Sequence, residues 1–168
     1  VEFGGGRMQA TRMSWDTKAK KWFHQYAGDK IPAGDWLHWT GNAQNWNTMC
    51  ASCHSTNLNK GYDEVSDTYK TTYNEINVSC ESCHGPGKNH IDYINGSDYK
   101  VGEKIKGSLL VLYKGEGQMA EVNMCGYCHA RRSDITGNPF PGSEVMEDYI
   151  PELPTSDFFF ADGQMNDE

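Results

Sequence analysis

The chain has 168 residues, a formal net charge of −8 and 23% charged residues, with a mean hydropathy of −0.74. An acidic chain of this kind excludes nucleic-acid binding, which rests on clustered Lys and Arg, and no apolar run approaches the roughly 20 residues needed to cross a bilayer. Leu, Ile, Val and Phe supply under a fifth of the positions, which by itself describes a disordered chain, yet 12% of the residues are aromatic. The length predicts one domain over 1–168, and something other than aliphatic side chains must supply its core.

In chain order, 1–41 reads as a β-hairpin region. In "RMQATRMSWDTKAKKWFHQY", Arg7 to Tyr26, two polar and aromatic stretches flank a hydrophilic turn at Asp16 to Lys20, which predicts paired strands with His24 on the second. The next segment, "AGDKIPAGDWLHWTG", is punctuated by Gly and Pro, so His38 is expected on a loop fixed by Trp36 and Trp39.

Region 42–136 holds all six cysteines, as "CASCH" from Cys50, "CESCH" from Cys80 and "CGYCH" from Cys125. Asn42 is a candidate cap for a helix running through Cys50. Thr72 and Glu75 fit a capping box for a second helix, which the "GPG" of Gly85 to Gly87 stops just after His84. "KNHIDYING" predicts a helix from Lys88 to a stop at Gly96, turning His90 inward with Tyr93 and Ile94. "GSLLVLYKGEG" reads equally as a strand or a short helix, and a further helix is expected from about Gln118 through the last motif. Segment 137–168, with "NPFPG", "IPELP" and "FFF", is expected to be mostly irregular, Phe158 to Phe160 covering either a prosthetic group or a partner surface.

Cys-x-x-Cys serves a thioredoxin-like redox pair, half a zinc site, or covalent attachment of haem c when His follows directly. A redox dithiol needs no such His and would want a βαβ pattern that is not found. Zinc would pair two units into a four-thiolate site and leave the third unmatched. Haem accounts for every residue: two thiols one helical turn apart form thioethers, and the next imidazole lies beneath the iron. Three haem c groups are therefore expected, tethered by Cys50 with Cys53, Cys80 with Cys83, and Cys125 with Cys128, with His54, His84 and His129 as proximal ligands. Three further histidines, His24, His38 and His90, remain, one per iron, which suggests bis-His coordination. Met8, Met13, Met119, Met146 and Met165 are weaker candidates, whereas Met49 and Met124 directly precede a motif and read as packing residues. Arg131 and Arg132 suit either haem propionates or a solvated helix end. The expected fold is a multihaem cytochrome c, mostly irregular with short α-helices and an N-terminal β-hairpin around a haem-based core, its haems close together and partly exposed.

"NWNTMCASCHSTNLNKGYD", "TTYNEINVSCESCHGPGKNH", "MCGYCHARRS" and "ADGQMNDE" resemble the multihaem c-type cytochromes. The likeness extends over nearly the whole chain and is nearest to the large members that continue into a tetratricopeptide region. It is more distant to the tetrahaem cytochromes of ammonia oxidisers and to filament-forming tetrahaem cytochromes. The resemblance implies electron transfer through stacked haems, assembly outside the cytoplasm, and His90 after the GPG turn as a distal ligand; His24 and His38 also stand in family-like strings. Such cytochromes carry another motif upstream of "VEFGGGR" and further ones downstream of "ADGQ", so the chain is expected to be a natural short form, a processed piece or a segment of a longer protein. A secretory signal would have been removed or lie outside it.

The function that follows is that of an extracytoplasmic electron carrier or conduit, in the periplasm or at the cell surface. Its partners would be other redox proteins or further copies of itself, the latter as a filament subunit. The alternative is a haem enzyme acting on small nitrogen compounds or oxyanions at one open haem; a scaffold in which haems only build the core is the third and least favoured class.

Overall fold

In the computed structural model, which describes residues 1–97, 99–101, 117–137, 139–164 and 166, the chain forms short helices and two-stranded antiparallel sheets. Most of "GSLLVLYKGEG" lies outside the described residues, as does Met165. The chain divides into two compact units, Val1–Ser82 and Cys83–Glu168.

The first unit begins with strands β1 (Met13–Asp16) and β2 (Lys21–His24), which pair with Met13 opposite His24 and Trp15 opposite Trp22. The Asp16 carboxylate accepts the amides of Lys18 and Ala19 at 2.9 and 2.8 Å and so closes the turn. The two cross-strand indoles meet edge to face, with centroids 5.4 Å apart, a pairing worth about 1 kcal/mol. All four residues of β2 are exposed.

A 3-10 turn, Asn42–Gln44, leads into a π-helical turn, Trp46–Cys50, and then α1, Ala51–His54. Asn42 does not cap this helix. Asn45 does, its side chain accepting the Thr48 amide at 3.2 Å, because an isolated bridge to Gln9 holds Asn45 extended just before the first turn. The expected capping box at Thr72 and Glu75 also fails: Thr72 exchanges both backbone hydrogen bonds with Asn59 at 2.8 and 2.9 Å. That extended bridge is incompatible with a helix start. Glu75 and Ile76 instead form β6, which pairs with β3 (Ser55–Thr56), while β4 (Tyr62–Asp63) pairs with β5 (Thr68–Tyr69). Helix α2 spans Cys80–His84.

Polar side chains hold this unit together. Among its described residues Ala51 is the one buried apolar side chain, against buried Gln9, Asn45, Asn47, Ser55 and Thr56. Asn47, with no exposed surface, accepts the Met8 amide at 2.7 Å and donates to the Thr71 hydroxyl at 2.8 Å and the Gly6 carbonyl at 3.3 Å. Thr71 passes its own proton to the Lys60 carbonyl at 2.7 Å. Buried polar groups satisfied in this way position a chain closely while adding little apolar burial.

The second unit contains α3 (Lys88–Asn95), α4 (Gln118–His129), and β7 (Arg132–Asp134) paired with β8 (Tyr149–Pro151) beyond the short helix α5 (Val145–Asp148). Helix α3 ends at Gly96. The described residues of the C-terminal segment are mostly irregular, as expected, with one short helix and one strand. The stretch "VMEDYIP" supplies α5 and β8, and with them the buried Val145, Asp148 and Tyr149. The Tyr149 ring is held between the Arg132 guanidinium, 3.9 Å from its centroid, and the Tyr127 ring at 5.6 Å.

Candidate haem-attachment sites

All three Cys-x-x-Cys-His segments have helical backbone, and each helix ends on its histidine. Cys50 has right-handed helical angles and leads into α1, which stops at His54 before extended Ser55. Helix α2 spans the second motif and stops where Gly85 turns to φ 73°. Helix α4 stops at His129 before extended Ala130. On a helix, residues three apart share a face, so the two thiols of each motif lie one above the other, with the imidazole following at the helix end.

The residues between the cysteines fasten these helices. Ala51 has no exposed surface, and its carbonyl accepts the Ser55 hydroxyl at 2.6 Å. Ser82 meets the Thr56 hydroxyl at 2.7 Å, and Thr56 also binds the Ser79 amide and the Asn77 carbonyl, each at 2.9 Å. Gly126 faces Val145 so closely that a Cβ there would stand 3.1 Å from its methyl. Tyr127 donates toward the Ser143 carbonyl at 3.1 Å, beside the Asp148 carboxylate. Sequence reasoning passed over these variable positions. Their signal was composition: small or hydroxyl-bearing residues where the helix must approach its support.

The thiols are left accessible. Cys80, Cys125 and Cys128 are exposed, Cys50, Cys53 and Cys83 are half-buried, and all six are free of disulfides. Burial, and after it the neighbouring Cys53, pushes the Cys50 thiol above its usual value. His54 and His129 are exposed and His84 is half-buried. Among the described residues no group of three or more His, Cys, Asp or Glu side chains is placed to hold a metal ion. The donor set of each motif fits haem c: paired thiols on one helix face with an imidazole next in the chain.

The spare histidines differ in setting. His24 ends β2 and is exposed; its Nδ1 accepts the Tyr26 amide at 3.1 Å. His90 lies on the half-buried face of α3 with Tyr93 and Ile94, while Ile91, Asp92 and Asn95 face solvent. His38 is half-buried, on a loop held at several points. The Asp35 carboxylate accepts the Leu37 amide at 2.8 Å, and buried Gln9 donates to the Trp39 and Gly41 carbonyls, both at 2.9 Å. The Trp36 side chain is 57% exposed, and its residue holds the loop through its carbonyl, which accepts the Ala43 amide at 3.3 Å; Trp39 contributes its ring, 5.6 Å from Phe3. A cavity of about 380 Å³ opens beside the first motif, lined by Trp36, Thr48, Met49, Tyr62, Tyr69 and Arg7. Arg7 pairs there with Asp67 at 3.3 Å.

Met49 is half-exposed, on the wall of that cavity. Arg131 and Arg132 are not spread into solvent at the helix end: Arg131 lies 4.0 Å over Phe158, and Arg132 covers Tyr149 while donating to the Tyr127 carbonyl. Phe158 therefore sits under an arginine of its own chain.

Helical Cys-x-x-Cys-His segments with accessible thiols and a terminal imidazole have the pattern to which haem c is attached. Residues 9–85 match the family described as cytochrome c554 and c-prime. The matched stretch includes the first two motifs, His24 and His38, and the match bears out the resemblance to multihaem c-type cytochromes, proteins with covalently bound haem that carry electrons. No curated protein matches the chain. A solved structure described as the outer cell wall cytochrome OcwA is similar at a TM-score of 0.46 and 24% identity, over 86% of this chain and 27% of that one. The chain thus spans about a quarter of that protein's length.

Proposed function

We propose that the chain carries single electrons through three covalently held haems outside the cytoplasm, one at each Cys-x-x-Cys-His helix, with His24, His38 and His90 as second axial ligands. The observation that carries this reading is the common geometry of the motifs, each helical, each fastened through a residue between its cysteines, and each closed by histidine. When bound, haem c supplies the one-electron couple. The chain's residues tether and orient: the thiols fix one porphyrin edge, His54, His84 and His129 hold one face, and bis-His ligation keeps potentials low relative to His/Met sites.

The exposed apolar side chains support the same reading. Trp22, Trp36, Leu37, Ile76, Val78, Ile91 and Val122 are each more than half exposed, an arrangement suited to apolar groups laid against the chain. Among the described residues no helix is long and apolar enough to cross a membrane. Partners are then other redox proteins or further copies of this chain, and head-to-tail contacts between copies would extend into a filament.

The test combines a pyridine haemochrome assay and intact mass with addition of carbon monoxide to the reduced protein. Three haems per chain and an unmoved Soret band are expected. Fewer haems would refute the count, and a shift worth one haem would favour the second reading, an enzyme with one open iron. One observation favours that second reading: the Nδ1 of His24 is taken by a backbone amide, which places the ring proton on the nitrogen that iron would need.

A further inference from the structure

Resting on the reading that His38 is an axial ligand, we propose that the Thr40 hydroxyl is the hydrogen-bond acceptor that sets the His38 ring. It keeps the proton on Nδ1 so that Nε2 is the nitrogen presented to iron. His38 Nδ1 lies 2.8 Å from Thr40 Oγ1 and accepts the Thr40 amide at the longer distance of 3.3 Å. A neutral imidazole that ligates through Nε2 must carry its proton on Nδ1 and therefore donate from it. Of the two Thr40 groups only the hydroxyl can receive that proton, since an amide N–H only donates. The hydroxyl is also the nearer partner.

His24 makes the contrast. The Tyr26 amide at its Nδ1 can only donate, so ligation through Nε2 would require that contact to break. His38 Nδ1 would likewise give up the amide of Thr40, at the longer distance of 3.3 Å, but it has beside it at 2.8 Å a hydroxyl that can turn to accept the proton. Its loop is also fixed independently of the imidazole: the His38 amide donates to the Asp35 carbonyl at 3.0 Å, the Gly41 amide to the His38 carbonyl at 2.6 Å, and Arg12 to the Leu37 carbonyl at 3.1 Å. Thr40 itself is exposed, so changing its side chain leaves these supports in place.

A proton acceptor at Nδ1 makes the imidazole a stronger donor and favours oxidised iron, and loss of such a partner typically weakens metal binding about 10- to 100-fold. The experiment uses the haem-loaded protein in four forms: unchanged, His38→Ala, Thr40→Val and Thr40→Ser, with Thr40→Ala in reserve should the valine variant lose haem. Reductive titration followed by optical spectra resolves the individual midpoints, and carbon monoxide binding reports ligand release. His38→Ala is expected to open one haem to carbon monoxide. Thr40→Val should raise one of the three midpoints, leave the other two in place, and speed carbon monoxide binding at that haem by about tenfold or more. Thr40→Ser should restore the original behaviour. If His38→Ala opens no haem, the ligation reading itself fails. If His38→Ala opens one haem but Thr40→Val and Thr40→Ala behave like the unchanged protein, only the role of Thr40 is overturned. A shift that Thr40→Ser does not restore would assign the effect to the loop and likewise overturn it.

Discussion

Tyr127 stands between the two cysteines of the third motif, and its hydroxyl reaches Ser143 and Asp148 while Ser143 donates to the same carboxylate at 2.9 Å. One side chain thus links the helix of the third Cys-x-x-Cys-His motif to its support. Replacing it by Phe removes the hydroxyl but leaves Asp148 partnered by Ser143 and Thr136, so the expected cost is about 1 kcal/mol at neutral pH, measured by urea unfolding. The pH dependence has a definite sign. Burial foremost, and Asp148 beside it, raise the Tyr127 pKa, with the Ser143 hydroxyl opposing. The folded value therefore lies above the unfolded one, about 10, so the stabilisation of the neutral phenol is complete below the unfolded value and lost as pH rises toward the folded one. Tyr127→Phe should lack that alkaline limb; an identical loss in both proteins would rule out Tyr127 as its origin. The cysteines and following histidines were legible from spacing alone, because haem attachment is a local chemical pattern. The roles of Ser82 and Tyr127 were not, because their supporting contacts are with partners distant in sequence, Thr56 for the one and Ser143 and Asp148 for the other.

Elements that carry their own punctuation lie where the sequence placed them. Helix α3 follows the GPG turn and stops at Gly96, and α4 begins at Gln118. The hairpin forms around the polar turn, with strands shorter than Arg7 to Tyr26. Helix starts inferred from one capping residue did not hold: Asn42 yielded to Asn45, and Thr72 entered a bridge with Asn59. The loop carrying His38 shows how a long-range constraint decides an element. A Cβ on Gly41 would collide with the Trp36 carbonyl and stand 2.8 and 2.9 Å from those of Asp35 and His38, so this turn closes only around glycine. Gly41→Ala is expected to cost about 1–3 kcal/mol through overpacking, read as a lower melting temperature of the haem-loaded protein. It should also admit carbon monoxide to one haem. Normal melting and no reaction would remove Gly41 from the account of this loop.

At the scale of the whole molecule, the described residues bury three apolar side chains, Ala51, Val145 and Tyr149, against six polar or charged ones. Among the described residues so small an apolar interior leaves the conformational entropy lost on folding largely without offset. A variant with all six cysteines changed to alanine is therefore expected to lack a cooperative thermal transition and near-ultraviolet circular dichroism, while the haem-loaded protein shows both. A sharp transition in the haem-free variant would mean that the polar networks suffice and would remove the structural part of the haem assignment.

Composition and spacing by themselves determined that the chain is acidic, poor in aliphatic core and built around three Cys-x-x-Cys-His motifs, since those properties are local or additive along the chain. Only the tertiary structure decided what holds each motif helix, which residue caps the first of them, and that His38 and His24 present their ring nitrogens to different partners. The capping and ring contacts are themselves local, but the segments that make them are set by residues far apart in sequence, such as Gln9 under the Trp39 and Gly41 carbonyls and bridged to Asn45, as the second motif is by Thr56 against Ser82. Their hydrogen bonds form only once the fold has brought donor and acceptor within about 3 Å.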